Sequence, residues 1–361
     1  MTDPFAALPG AVFDGAALSH LGSPAREQRE LAAGRAIAPL ASRAVITVTG
    51  PDRLSWLDSI TSQALTALTA GESTELLVLD PQGHVEHAAA VVDDGERTWL
   101  IVDRTRAGDL AAWLTRMRFR LRVEVEDAAE TYRVVGGTGS AVSALPSVAV
   151  WHDPWPGVTA GGWGYAATDP HPGVDRDWAE AIVGVAEYAR IAAGGDERST
   201  APAVAGELAA EALRVAAWRP RASREADGRA LPHEADWLRT SVHLDKGCYR
   251  GQETVAKVHN LGHPPRRLVF LHLDGSDAVL PEPGAEVLLD DEPVGVVTSV
   301  ARHHEEGPIA LAYVKRTTPV EADLVVRVRD GEIAAAQEPI VPPDAGRTAA
   351  VPRLPRLSRR R

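Results

Sequence analysis

Apolar and polar positions along the chain change period several times, and each change marks an element. Ala44-Val45-Ile46-Thr47-Val48-Thr49 is a β-rich run that Gly50-Pro51-Asp52 halts. Proline suits the first turn of a helix and an acid suits the positive end of its dipole, so a helix opens there. Leu54, Leu57, Ile60, Ala64 and Leu68 continue it as a stripe at three- to four-residue spacing. Strands are expected at 75–80, 84–92 and 97–102, joined by the turn sequences Pro81-Gln82-Gly83 and Asp93-Asp94-Gly95 as a meander. Residues 105–119 place Leu110, Trp113, Leu114 and Met117 on one side of a helix, and 121–126 alternates as a strand with one wet face. Further short strands are expected at 132–135, 148–152 and 163–167. Two helices are expected at about 177–192 and 205–218, either side of the Gly194-Gly195-Asp196 break. After a mixed segment at 219–245, Asn260-Leu261-Gly262-His263-Pro264-Pro265 forms a boundary, because paired prolines stop a helix and stiffen a linker. Beyond it the pattern is wholly β, with strands at 267–273, 286–289, 294–300, 309–314 and 324–329 that suggest a small barrel or sandwich.

The fold class is therefore α+β. Residues 1–43 form a lead-in with one short helix near 25–34, residues 44–260 the main body, and residues 266–340 a C-terminal β domain. Residues 341–361, rich in Pro and Arg, read as a disordered basic tail.

Composition narrows the possibilities. A chain of 361 residues fits two or three domains. Its 38 basic and 50 acidic residues give a net charge of −12, which argues against broad binding to nucleic acid. No apolar segment reaches the roughly 20 residues a membrane span needs, and no secretory signal is legible at the N-terminus. The expectation is a soluble, cytoplasmic protein with neither membrane nor direct nucleic-acid contact.

Candidate chemistry centres on Lys246-Gly247-Cys248-Tyr249-Arg250-Gly251-Gln252-Glu253, which holds the only cysteine. One cysteine excludes an internal disulfide and a cysteine-cluster metal site, and no other metal site is expected. Gly247 and Gly251 suggest a backbone bent into dihedrals that other residues avoid. Lys246 would favour the thiolate if the two side chains met; a small packed cysteine in a tight turn is the bland alternative. His84 and His87 point to opposite faces of a strand, and His303-His304 reads as a surface pair. His259 and His263 border the linker. Trp151, Trp155 and Trp163, among nine tryptophans, could stack on a flat heterocycle or plug seams between subdomains.

The Lys246–Glu253 signature resembles that of the YgfZ family, folate-binding proteins related to the T-protein of the glycine cleavage system and to mitochondrial iron–sulfur assembly factors. Val48-Thr49-Gly50-Pro51-Asp52-Arg53 and Leu79-Asp80-Pro81-Gln82-Gly83 resemble the family's N-terminal turn and first hairpin. Gly295-Val296-Val297-Thr298-Ser299 and Ala310-Leu311-Ala312-Tyr313-Val314 resemble the barrel shared with T-proteins. The resemblance covers roughly residues 40 to 335. It implies a T-protein-like body around a central cavity and a small terminal β-barrel. It also implies binding of tetrahydrofolate, and support of iron–sulfur enzymes, including tRNA-modifying ones, through those proteins or their assembly machinery. Cys248 is then the functional thiol with Lys246 beside it, and Gly247, Tyr249, Gly251, Gln252 and Glu253 are its motif neighbours. T-proteins carry an aspartate pair that falls at His87-Ala88 here, which argues against aminomethyl transfer. Tryptophans that some members place against folate fall at Arg43 and Ala210, and the Arg43 guanidinium could stack on a ring or pair with a folate carboxylate. The alternatives are a folate-dependent aminomethyl or one-carbon transferase, and a partner-binding scaffold without folate.

Overall fold

In the computed structural model, residues 3–194, 202–276 and 279–349 are described. The body is built on two five-stranded sheets. In the first, the strands run in the order Ser73–Leu79, Val85–Asp93, Arg97–Asp103, Arg43–Thr49 and Glu124–Asp127, all antiparallel. The second runs Ala149–His152, Ala179–Gly184, Tyr132–Gly137, Ala36–Pro39 and Ala203–Val204, with only the last pair parallel. Val45, Ala90, Trp99 and Ile101 of the first sheet meet Ala38, Val134, Trp151 and Ile182 of the second in one buried cluster. The other face of the first sheet packs Ile46, Val91 and Leu100 on Leu110 and Leu114 of the helix Arg104–Met117. The stripe seen in the sequence is what that helix buries.

The C-terminal domain is a closed barrel of six strands. The five expected ones lie at Arg266–Leu273, Glu286–Leu289, Glu292–His303, Gly307–Lys315 and Leu324–Val328. The sixth, Gly331–Pro339, closes the barrel against the first. Its sequence, Gly-Glu-Ile-Ala-Ala-Ala-Gln-Glu-Pro, lacks β-branched residues apart from Ile333, so its propensity is weak and ladder pairing decides its state.

Four local expectations are corrected. Residues 177–192 are not one helix: Ala179–Gly184 is a central strand and only Val185–Ala192 is helical. A short apolar run such as this has no period that separates buried strand from buried helix. Residues 163–167 are not a strand either. Trp163 N donates to Leu238 O and Tyr165 N to Asp236 Oδ1, so this segment is tied to the turns at Pro232–Ala235 and Trp237–Arg239. His303 is buried rather than on the surface, and its neighbour's backbone N–H donates to Gln28 Oε1 at 2.9 Å. Gln28 in turn donates to Arg302 O, clasping the helix Pro24–Ala32 to the barrel. Finally, the tail is ordered over its first part: Val341 and Ala345 are buried, and Thr348 N donates to His259 O at 3.0 Å. Residues 350–361, like Gly195 and Asp196, lie outside the described residues.

Candidate functional site

Between the two sheets, and under the helix Glu207–Ala216 with the segment that follows it, lies a cavity of about 320 Å³. That is within the range of small-molecule sites. Ala88, Ala89, Ala90 and Ile101 of the first sheet line it, facing Trp151, Trp178 and Glu180 from the second-sheet side. Arg43 and Ala210, the two positions the resemblance placed against folate, both lie in the lining, as does Ala88.

The polar groups of the wall are organised as paired charges. Arg43 reaches Glu180 Oε1 at 3.1 Å and Asp103 Oδ1 at 3.4 Å. Burial works against its charge, but those two carboxylates outweigh it and raise its pKa. Asp103 also accepts from Arg221 Nε at 2.5 Å; burial alone would raise this acid, and Arg221 with Arg43 hold it at about 2. Ser42 donates through its hydroxyl to Glu207, and Arg221 donates to the same hydroxyl at 3.0 Å. Burial raises the pKa of Glu207. Deeper in, Arg219 pairs with Glu75 and with Asp153, and Thr240 and Ser241 complete the shell of Glu75. A buried charge is tolerated only with such partners.

Two groups in the lining stand apart. Glu180 Oε2 is buried and has no hydrogen-bond partner among the described residues, although Oε1 serves both Arg43 and Trp178. Arg224 is exposed in the lining and pairs with no carboxylate among the described residues. The sequence carries a signal for this wall: Glu75 precedes the apolar run Leu76–Leu79 and Glu180 is a lone acid in an otherwise apolar strand, and such residues are rarely buried without a bound partner.

The cysteine loop lies elsewhere. None of residues 246–253 lines the cavity. Cys248 is a free, exposed thiol. Lys246 does not turn towards it: its Nζ donates to the carbonyls of Thr61 at 3.0 Å, Gln63 at 2.7 Å and Asp58, and pairs with Asp58 Oδ2 at 3.4 Å. These are groups at and just past the end of the helix Arg53–Ile60, where backbone acceptors are left over. The expected helical stripe from Leu54 to Leu68 is corrected here: it is helical only as far as Ile60. Burial pushes the Lys246 ammonium down and Asp58 partly restores it.

Gly251 has φ +83° and would place a Cβ 2.6 Å from Asp80 O, so the loop packs on the first hairpin where only glycine fits. Gly247, by contrast, lies outside the left-handed region and has open space around it. Tyr249 is buried, with its ring 5.5 Å from Lys246 Nζ. Arg250 pairs with Glu86 at 2.6 Å, and Gln252 donates to Lys246 O at 3.3 Å. Glu253 is exposed in the first turn of the helix Gln252–Leu261.

The histidines and tryptophans also resolve. Trp151 and Trp155 are fully buried and donate to Thr74 O and Ala217 O, so both serve as seam residues, and Trp151 forms cavity wall as well. Trp163 is 44% exposed. His259 Nδ1 meets Tyr165 Oη at 3.0 Å inside the body while its carbonyl accepts from Thr348 N, and His263 Nδ1 meets Ala345 O at 2.8 Å, so both stand where the tail joins the body. Among the described residues no cluster of three or more His, Cys, Asp or Glu side chains could hold a metal ion, and no helix is long and apolar enough to cross a membrane.

Two packed sheets, antiparallel but for one edge pair, lead into a closed six-stranded barrel, and this gives the chain a T-protein-like fold. Residues 266–340 match the glycine cleavage T-protein C-terminal barrel domain. The chain superposes on the glycine cleavage system aminomethyltransferase T from Bartonella henselae with a TM-score of 0.68, over 90% of this chain and 92% of that one. At 16% identity this match speaks for the fold alone. In sequence, the chain is 25% identical over 256 residues to a mitochondrial iron–sulfur cluster assembly factor homolog of Mycosarcoma maydis, covering 65% of this chain and 56% of the relative. It is 35% identical over 112 residues to a chloroplastic protein of Arabidopsis thaliana named as a candidate transferase, covering 31% of this chain and 25% of the relative. The matches thus span a quarter to just over half of these relatives' lengths.

Proposed function

We propose that the chain binds tetrahydrofolate in the cavity between its sheets and supports the assembly or maintenance of iron–sulfur enzymes, tRNA-modifying ones among them. The observation that carries the folate reading is the lone buried Glu180 Oε2 in a tryptophan-walled lining. A pterin presents an edge of N–H donors and a flat face, and an unpaired carboxylate oxygen beside indole rings suits both. Arg224, exposed in the lining, suits the carboxylates of folate's glutamyl end. Arg43 serves in this reading as the partner that holds Glu180 in place, because its guanidinium is already shared between two acids. The accessory role takes its support from the similarity to an assembly factor homolog. In it Cys248, an exposed thiol away from the cavity, meets the client protein.

Isothermal calorimetry with tetrahydrofolate tests the first half. A single site is expected, and Glu180→Gln is expected to weaken it at least about tenfold, since a charged hydrogen bond is worth roughly 1.5–3 kcal/mol. A silent titration of the native chain would leave the partner-binding scaffold as the better reading. The transferase alternative finds little in the wall: the strand that would carry the acid presents Ala88, Ala89 and Ala90 to the cavity. Formation of methylene-tetrahydrofolate from an aminomethyl-lipoyl donor would restore it.

A further inference from the structure

At the end of the helix Arg104–Met117 the chain does something its overall charge does not predict. Residues 118–122, Arg-Phe-Arg-Leu-Arg, are all exposed, and Arg116 before them is exposed as well. Phe119 is 80% exposed and Leu121 45%. Arg122 is held by Asp52 at 2.7 Å, whereas Arg116, Arg118 and Arg120 meet no carboxylate among the described residues. Most other arginines of the body are tied into pairs, so this run gathers uncompensated positive charge in a chain of net charge −12. Glu124 beyond it is the nearest exposed acid along the chain.

The backbone adds a second, independent observation. Phe119 has φ +46°, the left-handed position that follows a helix C-cap and that glycine or asparagine normally takes. A phenylalanine there is uncommon, and the fold gains no core contact in exchange, since the ring stands in solvent. Backbone held in a disfavoured conformation to present a side chain outwards is a signature of a functional tip.

We propose that residues 116–122 form a peripheral docking tip for an anionic lipid surface, with Phe119 and Leu121 entering the headgroup boundary and Arg116, Arg118 and Arg120 resting on lipid phosphates. The alternation of cation and apolar residue matches what an interface between charge and hydrocarbon asks for. Each arginine near such a surface contributes about a fivefold gain in partitioning. The negative charge on the rest of the chain is screened beyond about 8 Å at physiological salt. A protein partner would need some 20–30 residues a side, far more than this run supplies. A single-stranded nucleic acid would use Phe119 for stacking but has no use for the aliphatic Leu121. This revises the expectation of no membrane contact: that expectation rested on the lack of a spanning segment, and a tip that lies in the headgroup layer needs none.

The test is co-sedimentation of the full chain with vesicles of phosphatidylglycerol and phosphatidylcholine in equal parts, and with phosphatidylcholine alone. The native chain is expected in the pellet with the anionic vesicles only, with recovery falling several-fold as salt rises from about 50 to 200 mM. Phe119→Gly removes the ring and relieves the backbone, so vesicle recovery should drop at least about fivefold while the melting temperature holds or rises. Arg118→Glu with Arg120→Glu should abolish recovery with folding intact by circular dichroism. Equal recovery of native chain and variants would overturn the proposal. So would a native chain that stays in the supernatant, whether it binds nothing or binds a labelled oligouridylate through the same arginines.

Discussion

Lys246 meets other partners than the one its place in the sequence suggests. Two residues from the only thiol, it invites the role of lowering that thiol's pKa. Its ammonium instead gathers three carbonyls and Asp58 at the end of the helix Arg53–Ile60, so its work is to seat the cysteine loop. Lys246→Met is therefore expected to lower stability by about 2–4 kcal/mol, because several buried acceptors lose a charged donor at once. The rate at which Cys248 reacts with a disulfide reagent across pH should keep its native midpoint; a raised midpoint in that variant would return Lys246 to the role of thiol activator. Cys248→Ala, at an exposed position, should melt with the native chain yet fail to restore iron–sulfur enzyme activity in a complementation assay. Complementation at the native level would remove the thiol from the proposed function.

At the scale of elements, the loop and the first hairpin form one unit. Gly251 lies against Asp80 O and Leu79, and Gly83 lies against Thr254 from the other side. Gly251→Ala must accept a left-handed backbone and a Cβ 2.6 Å from a carbonyl oxygen, so a loss of at least about 1–2 kcal/mol is expected in urea unfolding. The same change at Gly247, where φ is ordinary and space is open, should be close to neutral. The contrast of the two variants tests the packing directly. The elements themselves were largely legible wherever a period was long: the meander, the helix Arg104–Met117 and five barrel strands all carry clear patterns. The strand Ala179–Gly184 and the sixth barrel strand were not, because their states are fixed by neighbours in the ladder rather than by their own residues.

For the whole molecule, buried titratable groups set the response to acid. His171 and His233 are both pushed down to about 4 by burial, against an ordinary 6.5. The unfolded chain then binds more protons than the folded one between those values, so stability falls as pH drops from about 6.5 towards 4. Asp236, raised by burial to about 6, works the opposite way: the folded chain binds its proton first, so its ionised form weakens the fold as pH rises through that value. Two histidines outweigh one aspartate, and the melting temperature should decline between pH 6.5 and 4. His171→Phe, a ring held edge-on to Trp155 and Trp218, should flatten the decline. An unchanged slope in that variant would show that His171 is not one of the groups responsible.

The sequence alone determined the α+β body and the β domain at 266–340, because each rests on local period, and it singled out the Lys246–Glu253 loop by rare residues at close spacing. It also placed Arg43 and Ala210 as positions against a ligand, through resemblance. Only the tertiary structure decided that those positions line a cavity and that Lys246–Glu253 lies apart from it. It alone showed that Arg43 is spent on Glu180 and Asp103, leaving Glu180 Oε2 as the open acceptor. The reason is physical: Arg43, Glu75, Glu180, Glu207 and Arg221 are brought together by the packing of the two sheets and the helix Glu207–Ala216, across more than a hundred residues of chain. Which charge neutralises which is fixed by distance in space, and no spacing along the chain records it.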